Sequence, residues 1–182
     1  MGEIHDRMVA GAARLLAQKG LQAASFSEIL ELTKTPRGSV YHHFPGGKDQ
    51  LVAEAVELAG SRALAALERP GAMARETAEG FIGLWRELLV RSNFGAGCAV
   101  LAVTVASDST DLLDKAAAVF QSWRETLARR LAEGGLPERA DELAALLISS
   151  TEGAVVLSRA ARSLEPFDTV ARVLLGLFPE TR

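Results

Sequence analysis

The residues best equipped for chemistry lie close together in the chain. Residues 25–48 read SFSEILELTKTPRGSVYHHFPGGK, and between Thr33 and Lys48 they carry Lys34, Arg37 and Lys48 with no acidic residue. Two of the three histidines, His42 and His43, stand there too, in a chain whose formal net charge is −3. A short run of donors with little bulk suits the recognition of nucleic acid, where base edges give specificity and phosphates give position. Arg37 and Ser39 are the candidates for base contact, with Gly38 permitting close approach. Tyr41, His42, His43 and Lys48 are candidates for phosphate contact, together with Ser25 or Ser27 at the start of the preceding helix. Thr35, the expected cap of the reading helix, is counted with this set. Two plainer readings stand beside this one: an ordinary solvated face, and a fragment of a metal site. No cysteine or carboxylate lies at ligand spacing, so no metal is expected.

The elements that must position these side chains follow from local signals. Ser25 followed by Glu28 has the spacing of a capping box, and Ile29, Leu30 and Leu32 supply two turns of apolar face. Thr35-Pro36 restarts the chain, Thr as N-cap and Pro at the first helical position. The second helix, Pro36 to His43, should bury Val40 and Phe44, one turn apart. Gly38 costs that helix about 1 kcal/mol relative to Ala, tolerable where a strand of nucleic acid must come close. Pro45-Gly46-Gly47 ends the unit and Lys48 opens the next helix.

Composition frames the rest. The 182 residues are 48% hydrophobic and 5% aromatic, enough for a good core. The single cysteine, Cys98, excludes an intrachain disulfide and suits a reducing cytosol. Early Glu3 and Asp6 and no apolar leader argue against a signal region, and the longest uncharged run, residues 92–107, is too short to span a membrane. A cytoplasmic protein with no membrane partner is expected. The first fifty residues hold six basic and five acidic side chains, against fourteen and eighteen in the remainder. Any contact with DNA must therefore be local rather than driven by bulk charge. An enzyme is not expected, and no cofactor. G-x-S-x-G, H-E-x-x-H and a Gly-rich phosphate loop are missing from the sequence, and all histidines fall within the first 43 residues.

Beyond the helix-turn-helix the periodicity is helical nearly throughout, giving an all-α fold of about nine helices. Helices are expected from Ile4 to Lys19, Lys48 to Leu67, Arg75 to Arg91, Cys98 to Ala106, onward to Glu133, Asp141 to Ser163, and Asp168 to Phe178. Arg69-Pro70-Gly71 is the clearest punctuation. Phe81, Trp85, Leu89, Phe94, Cys98, Leu101, Phe120 and Trp123 gather most of the aromatic mass in the middle third. They could line a pocket for a small hydrophobic ligand or form plain core. Glu152, a lone carboxylate in an apolar helix, needs a partner: an arginine of the fold or a cationic ligand. Cys98 among Ala, Val and Leu reads as an inert small hydrophobe. Leu143 to Ala161 is apolar or small almost all round, so it is buried on several sides, and another copy of the chain could supply part of that burial. Leu147, Ala154, Leu157 and Ala161, with Val170, Leu174 and Leu177 of the last helix, are the interface candidates, intrachain core being the alternative.

The run Gly38-Ser39-Val40-Tyr41-His42-His43-Phe44 with Ile29-Leu30 before it and Lys48 after it resembles the DNA-binding domain of the TetR family of bacterial transcriptional regulators. PRGSVYHHFPGGKDQL, Gly97-Cys98-Ala99-Val100 and EGAVVLSRAARSLEPFDTV are similar to the LmrA/YxaF-like subfamily. Lys34 stands where the family usually has Gly, and Pro36 where a capping Ser is common. The resemblance implies a helix-turn-helix domain over residues 1–47 and a ligand-binding and dimerisation domain over 48–182. It also implies a homodimer joined by the last two helices of each subunit, and a repressor of double-stranded operator DNA released by ligand. The alternative is a helical module for small molecules or proteins that does not read DNA.

Overall fold

Seventeen residues, Glu3–Lys19, form α1 because Met8, Ala12, Leu15 and Leu16 recur at helical spacing and point inward. The chain turns at Gly20, φ 79°, and enters α2, Phe26–Thr33, where the Ser25 hydroxyl accepts the Glu28 amide at 3.3 Å. The reciprocal half of the expected capping box does not form. The Glu28 carboxylate takes the Lys19 ammonium at 2.7 Å instead. A 3₁₀ turn, Arg37–Ser39, leads into α3, Val40–His43. Pro36 precedes that turn in extended conformation, φ −62° and ψ 140°, so it sets the entry rather than the first helical residue. The remaining helices are α4 Gly47–Leu67, α5 Ala74–Arg91, α6 Ala99–Ala106, α7 Thr110–Glu133, α8 Ala140–Ala161 and α9 Glu165–Leu175, with a second 3₁₀ turn at Pro137–Arg139.

The computed structural model describes residues 2–67 and 73–179, with side chains for all but Ser39 and Tyr41. Among these residues it is all helical, as expected. The Arg69-Pro70-Gly71 punctuation lies outside the described residues.

The helices form two compact units, one comprising the chain through Ser61 plus Cys98–Phe120, the other Arg62–Gly97 and the chain from Gln121 onward. They divide within α4 and α7. In the first unit Ile29, Leu30, Val40, Phe44, Leu51, Val52, Ala55, Val56, Val100 and Val103 join the α1 stripe in the core. Gly11 allows α1 and α2 to approach, for a Cβ there would stand 2.5 Å from Thr33 Cγ2.

In the second unit the core holds Phe81, Ile82, Trp85 and Leu89 of α5, Trp123, Leu127 and Leu131 of α7, Leu143, Leu147 and Val155 of α8, and Phe167 and Leu174 of α9. The buried Ser158 hydroxyl accepts the Phe167 amide at 3.0 Å, which joins α8 to the start of α9. Pro137–Ala161 is long and apolar enough by composition to cross a bilayer. It packs against α5 and α9, and Thr151, Glu152 and Ser158 are all buried.

That packing corrects the expected interface residues. Leu147, Ala154 and Leu174 are 1–3% exposed and face the subunit's own interior. Val170 is half-buried. Outward apolar residues include Leu146, Val156, Leu157 and Ala161 of α8, Val173 of α9 and Leu177 just beyond it. A helix apolar all round has no single stripe in its sequence, so neighbouring helices decide which faces stay uncovered.

Candidate nucleic-acid interface

The reading segment is held from beneath and left open above. Val40 and Phe44 are 3% and 0% exposed, whereas Arg37, Gly38 and His42 are exposed. The helical period sets His42 away from Val40 and Phe44, while Arg37 and Gly38 are exposed on the 3₁₀ turn that precedes α3. Between α2 and this segment Lys34 adopts the left-handed conformation, φ 52° and ψ 40°, and its amide donates to the carbonyls of Glu31 and Leu30. Lys34 thus occupies, with a Cβ, a left-handed turn position that favours glycine.

The other candidates divide. Ser25 is half-buried and Ser27 exposed, their hydroxyl oxygens 3.0 Å apart. The backbones of Ser39 and Tyr41 lie on the segment itself. Thr35 is displaced from the set: it is 6% exposed, and its hydroxyl lies 2.9 Å from that of Thr33, which donates to the Ile29 carbonyl at 2.7 Å. A buried hydroxyl must be hydrogen-bonded, so Thr35 fastens the turn. His43 also turns inward, its ring centroid 6.1 Å from that of His5. Lys48 is half-buried and donates to the Leu21 carbonyl at 3.3 Å. An ammonium has three donors, so it can brace the α1–α2 loop and still meet a phosphate.

No acidic residue interrupts the sequence from Lys34 to Lys48, and the Arg37 guanidinium makes no ion pair among the described residues. The surface therefore presents uncompensated positive charge although the whole chain is acidic. A guanidinium of this kind can pair with a guanine edge or a phosphate. Among the described residues no group of three or more His, Cys, Asp or Glu could hold a metal ion.

The residues expected around a ligand pocket separate between the two units. Phe81, Trp85, Leu89, Phe94, Trp123 and Glu152 belong to the second, Cys98, Leu101 and Phe120 to the first. In the second unit Trp85 meets Phe81 and Trp123 edge to face, with centroids 6.4 and 5.9 Å apart. The buried Trp85 Nε1–H has no hydrogen-bond acceptor among the described residues. Phe94 is half-buried with φ 60°, and Arg159 holds its carbonyl at 3.3 Å. Glu152 is 6% exposed within α8. In the first unit Cys98 is buried and caps α6, its sulfur accepting the Leu101 amide at 3.4 Å, while Leu101 and Phe120 are half-buried.

Sequence reasoning did not single out the residues that support the segment from behind: His5, Gln50 and Glu54. They come from α1 and α4, and nothing in their spacing announces a common site.

Comparison with known proteins gives concordant matches. Residues 8–55 match the model of bacterial regulatory proteins of the tetR family, and residues 74–173 that of the LmrA/YxaF-like transcriptional regulator C-terminal domain. The chain is 41% identical over 181 residues to an uncharacterised HTH-type transcriptional regulator of Mycobacterium tuberculosis H37Rv, covering 94% of this chain and 92% of that protein. A crystal structure of a TetR transcriptional regulator from Chloroflexus aurantiacus is similar with a TM-score of 0.79 and 30% identity, over 96% of this chain and 93% of that one. The TetR family regulator CifR, as a cysteine mutant complexed with 26-base-pair double-strand operator DNA, shares the fold. Its TM-score is 0.71 at 23% identity, over 96% of each chain.

Proposed function

The chain belongs to the TetR family of bacterial transcriptional regulators, and we propose that it is a cytoplasmic repressor that binds a roughly palindromic operator as a homodimer and lets go when a small hydrophobic ligand enters its helical C-terminal part. It is a DNA-binding helix-turn-helix regulator; the repressor role, the pairing and the ligand are the steps added here. Division into a reading domain over residues 1–47 and a ligand and dimerisation domain over 48–182 is part of this reading. The observation that carries it is the exposed Arg37-Gly38 edge of an acid-free segment anchored by buried Val40 and Phe44.

One short helix reaches few bases, so two copies related by a dyad gain affinity and select a palindrome. The uncovered apolar residues Leu146, Val156, Leu157, Val173 and Leu177 supply the surface for that pairing. In the second unit the Trp85 N–H offers a ligand one directional bond amid aromatic surface, and Glu152 favours a ligand with a positive end. Arg37 and Ser39 read bases; Ser25, Ser27, Tyr41, His42 and Lys48 hold phosphates.

Fluorescence anisotropy with DNA flanking the protein's own gene tests this directly. Arg37→Ala is expected to cost about 1–3 kcal/mol and relax specificity at one position, while Lys48→Ala weakens all sequences alike and flattens the salt dependence. Equal affinity of both variants and wild type would refute the assignment, and no binding at any salt concentration would favour a helical module that does not read DNA.

A further inference from the structure

Behind the reading segment a relay of close polar contacts runs from α1 to the turn that closes α3. His5, 9% exposed, lies with Nε2 2.8 Å from Glu54 Oε2 of α4 and Nδ1 3.2 Å from Asp6 Oδ1 of α1. The other oxygen of Glu54 accepts from Gln50 Nε2 at 2.9 Å, and Gln50 Oε1 accepts the backbone amide of Gly46 at 2.9 Å. The face of the His5 ring stacks on Phe44, centroids 4.8 Å apart and planes 17° apart. One buried imidazole thus supports both the last anchor of the reading segment and, through two side chains, the Pro45-Gly46-Gly47 turn. It precedes residues 8–55, which carry the family match.

Carboxylates at neutral pH only accept hydrogen bonds, and a neutral imidazole has one N–H. A ring with a carboxylate oxygen at each nitrogen is satisfied on both sides only when both nitrogens carry protons. Loss of either proton turns a bond into a contact between a lone pair and an anion. Among the described residues the ring also meets His43 of α3, edge-on at 6.1 Å, with His42 5.2 Å behind it. Of the other helices packed on α1, α6 has no ionisable side chain, and the α2 carboxylate recorded against α1, Glu28, pairs with Lys19.

We propose that His5 is a positioning residue for the reading segment, acting in its doubly protonated form through Glu54 and Gln50, so that operator binding weakens as rising pH removes its proton. The consequence for DNA rests on the function proposed above; the relay itself does not.

The test has two arms, both run between about pH 5 and 8, where imidazole changes charge. In the DNA-free protein, NMR should show the Gly46 amide shift titrating with the His5 ring in wild type and losing that response in His5→Phe, which keeps the stack but not the protons. Should His5→Phe fail to fold, Glu54→Gln breaks the ion pair within nearly the same shape and is expected to silence Gly46 equally. On operator DNA, wild type should lose about threefold to tenfold more affinity across this range than the variant. His42 and His43 are common to both, so their own titration cancels. A pH-insensitive Gly46 amide in wild type, an unchanged response in the variants, or parallel affinity profiles would overturn the proposal. Failure of wild type to bind the operator at every pH would refute the functional reading instead, and Gly46 alone would then decide this one.

Discussion

Arg86 of α5 and Asp168 of α9 meet through two parallel hydrogen bonds, Nε to Oδ1 at 2.8 Å and Nη2 to Oδ2 at 3.2 Å. The pairing holds the Asp168 carboxyl below the usual carboxylate range, the hydrogen bond from Arg86 being the main cause. A depressed carboxyl stabilises the fold fully above that range, and the contribution is lost as pH falls through it. Both side chains are nearly half exposed, so Asp168→Asn is expected to cost less than about 1 kcal/mol at pH 7. The difference from wild type, read by urea denaturation, should shrink in molar salt and vanish in acid.

The outward face of α8 and α9 can be separated from its inward face by mutation. Leu157 is 57% exposed and Val173 65%, so Leu157→Asp or Val173→Asp should yield folded monomers by light scattering and weaken operator binding. Leu147, 1% exposed, should behave differently. Leu147→Ala is expected to cost about 2–5 kcal/mol of unfolding free energy by opening a cavity, without such a shift toward monomer in the protein that remains folded.

Gly60 of α4 faces Val119 of α7 so closely that a Cβ on it would stand 2.6 Å from Val119 Cγ1. Alanine favours a helix over glycine by about 1 kcal/mol, yet valine is stiff at χ1 and cannot swing away. Gly60→Ala is therefore expected to destabilise on balance, overpacking costing about 1–3 kcal/mol. Thermal unfolding of the double variant with Val119→Ala should show recovery beyond additivity.

At Lys34 the sign is opposite. A left-handed residue with a Cβ carries about 1–2 kcal/mol of steric cost, partly offset because glycine has more freedom to lose on folding. Lys34→Gly should raise the unfolding free energy by a net of up to about 1 kcal/mol, read as a higher urea midpoint. An unchanged or lower midpoint would mean that the turn is not strained.

The sequence was most informative where structure is decided by near neighbours. The Ser25 cap and the inward Val40 and Phe44 depend on torsional preferences and helical period within a few residues. The helical course of the chain was legible for the same reason. What it did not show was which partner a polar group would choose. Glu28 has the spacing to cap α2, but its carboxylate pairs with Lys19. Thr35 has the chemistry of a DNA contact, but Thr33 sits beneath it. Leu147 and Leu157 are equally apolar, yet one is core and the other surface.

By itself, then, the amino-acid order determined that the chain is helical, where its reading segment begins and ends, and that this segment is cationic in an acidic molecule. Tertiary structure alone decided that His5, Gln50, Glu54 and Phe44 meet, and which sides of α8 and α9 stay open. The physical reason is range. Backbone torsions and side-chain periodicity act over one or two turns, whereas burial and hydrogen-bond pairing are settled only when segments tens of residues apart compete for the same space.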